Sequence, residues 1–208
     1  MSSEFGYIPD SPAQSFHNNK GIFTPTDIYN LDRIDKWTKH GQLEWIETLN
    51  PSNASHVELT TLGDYDIHLI TLNNFHTDDN KDLNSRVLVG GSEKSGNHYG
   101  RAFAACAPSY FYDDADAFLD RLRHIPEIGS GTGECLNGYI YMYNALDAAK
   151  YTFFTQAFAA MKYDGKTLNN FGGGIYQQSE ALSGIKFYMS SGNILSADVS
   201  IYGIKEYS

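Results

Sequence analysis

Residues 138–146 read Gly-Tyr-Ile-Tyr-Met-Tyr-Asn-Ala-Leu. Tyr139, Tyr141 and Tyr143 alternate with Ile140 and Met142, the period of an extended strand whose successive side chains point to opposite faces. The neighbouring segments repeat this pattern. Tyr151 to Met161 is long and aromatic, Leu182 to Ser190 sets Ile185, Phe187 and Met189 against Lys186 and Tyr188, and Ala197 to Ile204 sets Val199 and Ile201 against Ser200 and Tyr202. Asp164-Gly165, Gly172-Gly173-Gly174 and Ser191-Gly192-Asn193 supply turn or bend signals between them.

Upstream, strands are expected at Trp45–Leu49, His56–Leu62, Tyr65–Phe75, Ser85–Val89 and Tyr99–Cys106. In Tyr65–Phe75 both faces are apolar, as in a central strand of a two-sheet body. Thr77 to Asp82 reads as a polar loop and Gly90 to Asn97 as a flexible run. Asp113 to Arg123 predicts an interior helix, opened by acidic residues and closed by Arg121 and Arg123, with Phe118, Leu119 and Leu122 as its buried stripe. Residues 26–40 predict a second short helix, since Ile28, Leu31, Ile34 and Trp37 recur every three residues, with Thr26 or Asp27 as cap and Gly41 as stop.

The fold class that follows is mainly β: a β-sandwich or jelly roll over residues 43–208, preceded by an extended N-terminal arm and short helix over residues 1–42. The arm carries Pro9, Pro12 and Pro25 and isolated aromatics, Phe5, Tyr7, Phe16 and Phe23. It reads equally as a segment that lies extended on a partner and as a frayed terminus.

Composition agrees and narrows function. Among 208 residues there are 15 Tyr, 12 Phe and 19 Gly, a mix suited to strands and turns rather than to helical bundles or bulk disorder. Lys and Arg total 15 against 25 Asp and Glu, a net charge of −10 that repels phosphate backbones and disfavours nucleic acid as a partner. No stretch approaches the ~20 apolar residues of a membrane span, and the first twenty residues lack the basic and apolar regions of a signal peptide. Cys106 and Cys135 form no CxxC pattern and are expected as thiols.

No motif implies a cofactor, a metal ion or a catalytic centre. Asp78-x-Asn80-x-Asp82 starts like a calcium loop, but Leu83 and Val89 stand where that loop needs Gly and Glu. The seven histidines are scattered. Ser183-Gly184-Ile185-Lys186 has the SxxK spacing, yet in a strand its Ser and Lys point opposite ways. Asp113, Asp114, Asp116 and Asp120 read as solvated helix-terminal charges. Tyr139, Tyr141 and Tyr143 share one face of one strand: ordinary sheet packing if buried, and a stacking platform for sugar rings or a partner protein if exposed. The loops at Asp78–Asp82 and Gly90–Asn97 are the other candidate binding elements.

Two stretches carry a family resemblance. Gly21-Ile22-Phe23, Asp27-x-Tyr29-x-Leu31-x-Arg33 and Trp37 form the first. The second is the C-terminal Gly184-Ile185-x-Phe187 through Ser191-Gly192-Asn193-Ile194 to Val199-x-Ile201-Tyr202-Gly203-Ile204-Lys205. Together they resemble a group of bacteriophage virion and tail-fibre-like proteins that close on a "GN…LYGIK" ending. The segment Asp113–Arg123 lies outside the likeness. The resemblance implies a non-enzymatic particle component, made in the host cytoplasm and resident in the virion. Its partners would be other virion proteins, further copies of itself (a trimer is favoured) and a host-surface glycan or protein. It makes Tyr29, Leu31, Ile34 and Trp37 the virion-docking face and Tyr139, Tyr141 and Tyr143 the host-binding residues. Head decoration without receptor binding is the alternative role, and a glycan depolymerase the enzymatic one.

Overall fold

The computed structural model describes residues 14–15, 18–19, 24–34, 43–108 and 110–205, and the chain divides into two compact units between Gln42 and Leu43. In the first, β1 (Gln14–Ser15) and β2 (Asn18–Asn19) form a two-residue ladder ahead of α1 (Pro25–Arg33). The helix cap differs from expectation. Thr24 Oγ1 accepts from the Asp27 amide at 3.2 Å, and Asp27 Oδ2 accepts from the Thr24 amide at 2.9 Å, a reciprocal capping box with Pro25 at the first helical position. The helix ends at Arg33, well short of residue 40; residues 35–40, Trp37 among them, lie outside the described residues.

The second unit holds β3 (Leu43–Leu49), β4 (Ser52–Ala54), β5 (His56–Leu59), β6 (Ile67–Thr77), β7 (Leu83–Val89), β8 (Ser92–Glu93) and β9 (Tyr99–Ala107). It continues with β10 (Tyr110–Leu119), β11 (Leu122–Ile125), β12 (Leu136–Tyr143), β13 (Thr152–Met161), β14 (Thr167–Tyr176), β15 (Gly184–Met189) and β16 (Ile194–Ile204). These make two antiparallel sheets packed as a β-sandwich. The large sheet runs β10-β9-β14-β13-β12-β6-β16-β3, with β4 beside β16. The small one runs β11-β7-β15-β5, with β8 beside β7. Jelly-roll connectivity is not confirmed: β12, β13 and β14 form an uninterrupted meander in one sheet.

Three stretches depart from the sequence expectation. Asp113–Arg123 is not a helix: it divides between β10 and β11, which belong to different sheets. The physical reason is pairing. Asp114 accepts from Arg101 Nε and Nη2 at 3.1 and 3.0 Å and also meets Arg123, so its charge is neutralised across strands. The remaining charges blunt an edge strand. Phe118, at φ 60°, sits where the ladder shifts register and the chain leaves for the small sheet. Gly172-Gly173-Gly174 is not a turn but the middle of β14. A Cβ on Gly173 would lie 2.1 Å from Phe154 O, so glycine is required for close approach of the strands. The run after Val89 is a tight hairpin: Gly90 and Gly91, both at positive φ, turn β7 into β8.

The core lies between the sheets. Ile70, Leu72, Ile140, Met142, Phe154, Phe158, Val199 and Ile201 of the large sheet meet Val57, Leu59, Leu83, Val87, Ile185 and Phe187 of the small one. One polar chain crosses this core. Gln156 Oε1 on β13 can only accept, so His124 Nδ1, 2.5 Å away on β11, carries the proton. His124 Nε2 then accepts from Ser85 Oγ of β7 at 2.7 Å, while Gln156 Nε2 donates to His124 O and to Asn170 Oδ1. Ser85, His124, Gln156 and Asn170 are all buried; Asn170 accepts through Oδ1 while its Nδ2 has no partner among the described residues.

Burial lowers the His124 pKa from the ordinary 6.5 to about 4, against a smaller opposing pull from Gln156. Below 6.5 the unfolded chain takes up a proton that the folded ring refuses until about pH 4. His68, buried with its Nε2 on Leu62 O at 2.7 Å, is depressed for the same reason. Stability should therefore be complete above pH 6.5 and fall as the pH drops toward 4, by up to roughly 3 kcal/mol from His124. Urea unfolding across that range checks this; a flat profile would mean the ring is not shielded.

Candidate functional site

The two outward faces of the sandwich differ in kind. On the small sheet, Lys186 meets Glu93 at 2.9 Å and Glu58 at 3.6 Å, and Arg86 meets Asp120 at 2.6 Å and Glu93 at 3.2 Å. Burial opposes ionisation of Asp120, yet the Arg86 guanidinium outweighs it and holds the carboxyl below its usual range. This is a solvated, charge-laced surface.

The large sheet's outward face is different. Strand register lines up its side chains in rows. One row runs Trp45, Tyr202, Leu69, Tyr141, Thr155, Gly173, Ala102, Ala115 from β3 to β10. On one side of it run Leu43, Ile204, Ile67, Tyr143, Phe153, Ile175 and Gly100. On the other run Thr48, Ser200, Thr71, Tyr139, Ala157, Phe171, Ala104 and Asp113. Asp113, on the edge strand, is the sole charge in these three rows. Trp45, Tyr139, Phe153 and Phe171 are 66%, 43%, 46% and 51% exposed, too open for core residues.

The three expected tyrosines therefore belong together on the open face, not in the sandwich core. Tyr139 and Tyr141 rings meet edge-on at 5.6 Å, Tyr141 and Tyr143 lie 6.3 Å apart, and Tyr143 Oη is 3.2 Å from Thr155 Oγ1. Beside this ridge the face sinks. Two shallow depressions share Ala102 as floor: one of about 470 Å³ over Gly100, Gly173 and Gly174, and one of about 360 Å³ over Ala104, Ala115 and Gly172. Phe153, Ile175 and Phe171 rise around them. The sequence reading found the ridge but missed Leu69, Phe153, Phe171 and the small-residue floor. The available signal was β13 itself, in which Phe153 and Ala157 are as apolar as the opposing Phe154 and Phe158.

The proposed docking residues do not form one face. Leu31 is buried, whereas Tyr29 and Ile34 are 66% and 56% exposed. Tyr29 and Leu31 are two apart on α1 and point to opposite sides. Ile34 lies one residue past the helix, and Trp37 lies outside the described residues.

The other candidates are absorbed by structure. Asp78 accepts from the Asn193 amide at 2.6 Å, Asn80 from the Ser130 amide at 2.8 Å, and Asp82 from the Glu127 amide at 3.1 Å, so the calcium-like loop ties three loops together. Among the described residues, no group of three or more His, Cys, Asp or Glu could hold a metal ion. Ser183 Oγ accepts from the Gly91 amide at 2.9 Å, far from the ion pairs of Lys186. Cys106 and Cys135 are free thiols.

Adjacent residues of β12 offer a direct check of which face is open. In dilute protein, Ile140→Ala should cost about 2–4 kcal/mol of stability, as for a core aliphatic. Tyr141→Ala should cost under about 1 kcal/mol, as for a surface position. Equal losses in urea melts would place both faces in a core.

Comparison with known proteins gives no matching family model, no matching curated protein and no matching solved structure.

Proposed function

We propose that this chain is a structural protein of a bacteriophage particle, working through protein–protein contact at the open face of its large sheet. The observation that carries the contact reading is the scarcity of charge on that face, where Asp113 is the sole charged residue of the three rows and Arg101 and Asp116 reach only the rim of the larger depression. Eight strands spaced about 4.8 Å apart, with three rows of side chains, span roughly 35 by 20 Å, or about 700 Å². That exceeds the 300–600 Å² or so that the largest apolar patch of an ordinary monomer reaches. Single-sugar sites are concave and carry placed polar groups; this face is broad, with Trp, Phe, Tyr, Ile, Leu and Ala interspersed with the hydroxyls of Thr48, Thr71, Thr155 and Ser200. Such a surface suits another protein better than a glycan, and so favours particle assembly over direct receptor binding by Tyr139, Tyr141 and Tyr143. The phage assignment itself rests on the resemblance of residues 21–37 and 184–205.

Gold-labelled antibody against this chain on purified particles tests the reading. Label on the head or the tail is expected, and its position separates decoration from a tail-associated role. Particles without label, with the epitope shown accessible, would remove the phage assignment.

A further inference from the structure

We infer that the smaller depression of the open face is a seat for a cationic side chain, an arginine or a lysine, carried on an extended segment of the partner protein. This rests on the reading of that face as a protein contact surface, and goes further by naming the chemistry the partner brings to it.

Register builds the seat. Phe171 on β14, Ala104 on β9 and Asp113 on β10 stand side by side in one outward row. All three line the depression of about 360 Å³. The backbones of Phe171 and Asp113 are two strand spacings apart, about 9.6 Å, and Ala104 between them is too short to fill the gap. A cation resting over Ala104 lies about 5 Å from each neighbour. There it meets the Phe171 ring, which attracts positive charge within about 6 Å of its centre, and the Asp113 carboxylate. Phe171 is 51% exposed, so its ring is open to such a contact.

The charges at this corner of the sheet select a cation. The two depressions are lined by three carboxylates, Asp113, Asp114 and Asp116, and by one cation, Arg101. Arg101 is bonded to Asp114, which Arg123 also meets. Asp113 makes no ion pair or hydrogen bond among the described residues. A second copy of this chain, at net charge −10, is repelled here, whereas a basic segment is drawn in.

The larger depression fixes the form of the segment. It opens at Ala102, lies over Gly100, Gly173 and Gly174, and is walled by Phe153 and Ile175. Ala104, Ala102 and Gly100 follow one another along β9 at two-residue steps of about 6.6 Å. Alternate side chains of an extended chain share one face at the same spacing. A segment laid along β9 with its cation over Ala104 therefore sets the residue two places on into the larger depression, where an apolar side chain fits between Phe153 and Ile175.

The test is binding of the peptide acetyl-Gly-Arg-Gly-Leu-Gly-amide to the full chain, followed by amide NMR. Shifts should concentrate on Ala102, Ala104, Asp113 and Phe171 and shrink with added salt. Replacing the peptide's Arg with citrulline, its uncharged isostere, should weaken binding at least about fivefold. Asp113→Asn and Phe171→Leu should each weaken the Arg peptide by a similar factor without changing the melting of the protein. Asp64→Asn, in the acidic pocket beside Glu44 and Tyr65, should leave binding unchanged. No shift at about 10 mM peptide, equal binding of the citrulline form, or shifts that follow acidic residues wherever they lie would overturn the seat. Shifts at the same amides with maltotriose but not with the peptide would make the occupant a glycan instead, and a dimer abolished by Asp113→Arg would make it a second copy. Incorporation into particles separates the seat from the contact reading beneath it. Asp113→Arg is expected to fail to incorporate. Normal incorporation of Asp113→Arg while Tyr141→Glu fails keeps the contact face but removes the cation seat. Normal incorporation of both removes the contact face as well.

Discussion

The hydrogen bond from His124 to Gln156 joins the two sheets through a largely apolar core. Everything else depends on the sheets being held in one register. An apolar interface tolerates sliding, because hydrophobic contact has no direction. A buried imidazole does not: displaced by one residue, His124, Ser85, Gln156 and Asn170 would each leave polar atoms unpaired, at about 1–3 kcal/mol apiece. Since strand side chains alternate, such a slip would also carry core residues outward. The polar chain thus fixes which face of β13 is inside, and by consequence that Phe153, Thr155 and Ala157 are outside.

The same constraint explains the unequal character of the two outer faces. The inner faces consume Ile, Leu, Val and Phe from both sheets in the usual way. The small sheet then spends its outward positions on Lys186, Arg86 and Glu58, as a solvated sheet does. The large sheet does not: its β12–β14 meander is apolar on both sides. A strand apolar on both faces ordinarily has a layer on each. The open face therefore has the composition of a covered layer rather than of a solvated one.

Much of this was legible in sequence, and the failures have physical causes. Period-two alternation located β12, β15 and β16 to within a few residues, because their successive residues alternate in type, whereas β13 showed only as a long aromatic run. Asp113–Arg123 misled because helix-dipole logic and edge-strand blunting both place acidic residues in the same pattern. Only the pairing of Asp114 with Arg101 on β9 and Arg123 on β11 decides between them. Gly172–Gly174 misled because glycine marks a turn when the chain must bend and a close approach when strands must touch. The outward tyrosines were visible as a face, but whether that face was buried depended on β13 and β14 lying beside it, which periodicity does not report. Tyr29 was grouped with Leu31 through the family resemblance and not through the three-residue run of Ile28, Leu31, Ile34 and Trp37, and two residues along a helix lie on opposite sides.

Gly173 joins the fold to the relief of its open face. It is glycine because a Cβ would collide with Phe154 O, a requirement of the sheet alone. Its lack of a side chain also opens the floor of the depression beside the tyrosine ridge. Ala102 continues that floor on β9, where nothing in the core demands a small residue: its side chain points away from the sandwich. Ala115 continues it on the edge strand. A floor that is small where packing forces it and equally small where packing does not is matched, at equal distances across β13, by Tyr141, Leu69 and Tyr202. Sheet stability accounts for the glycine; it does not account for the alanines.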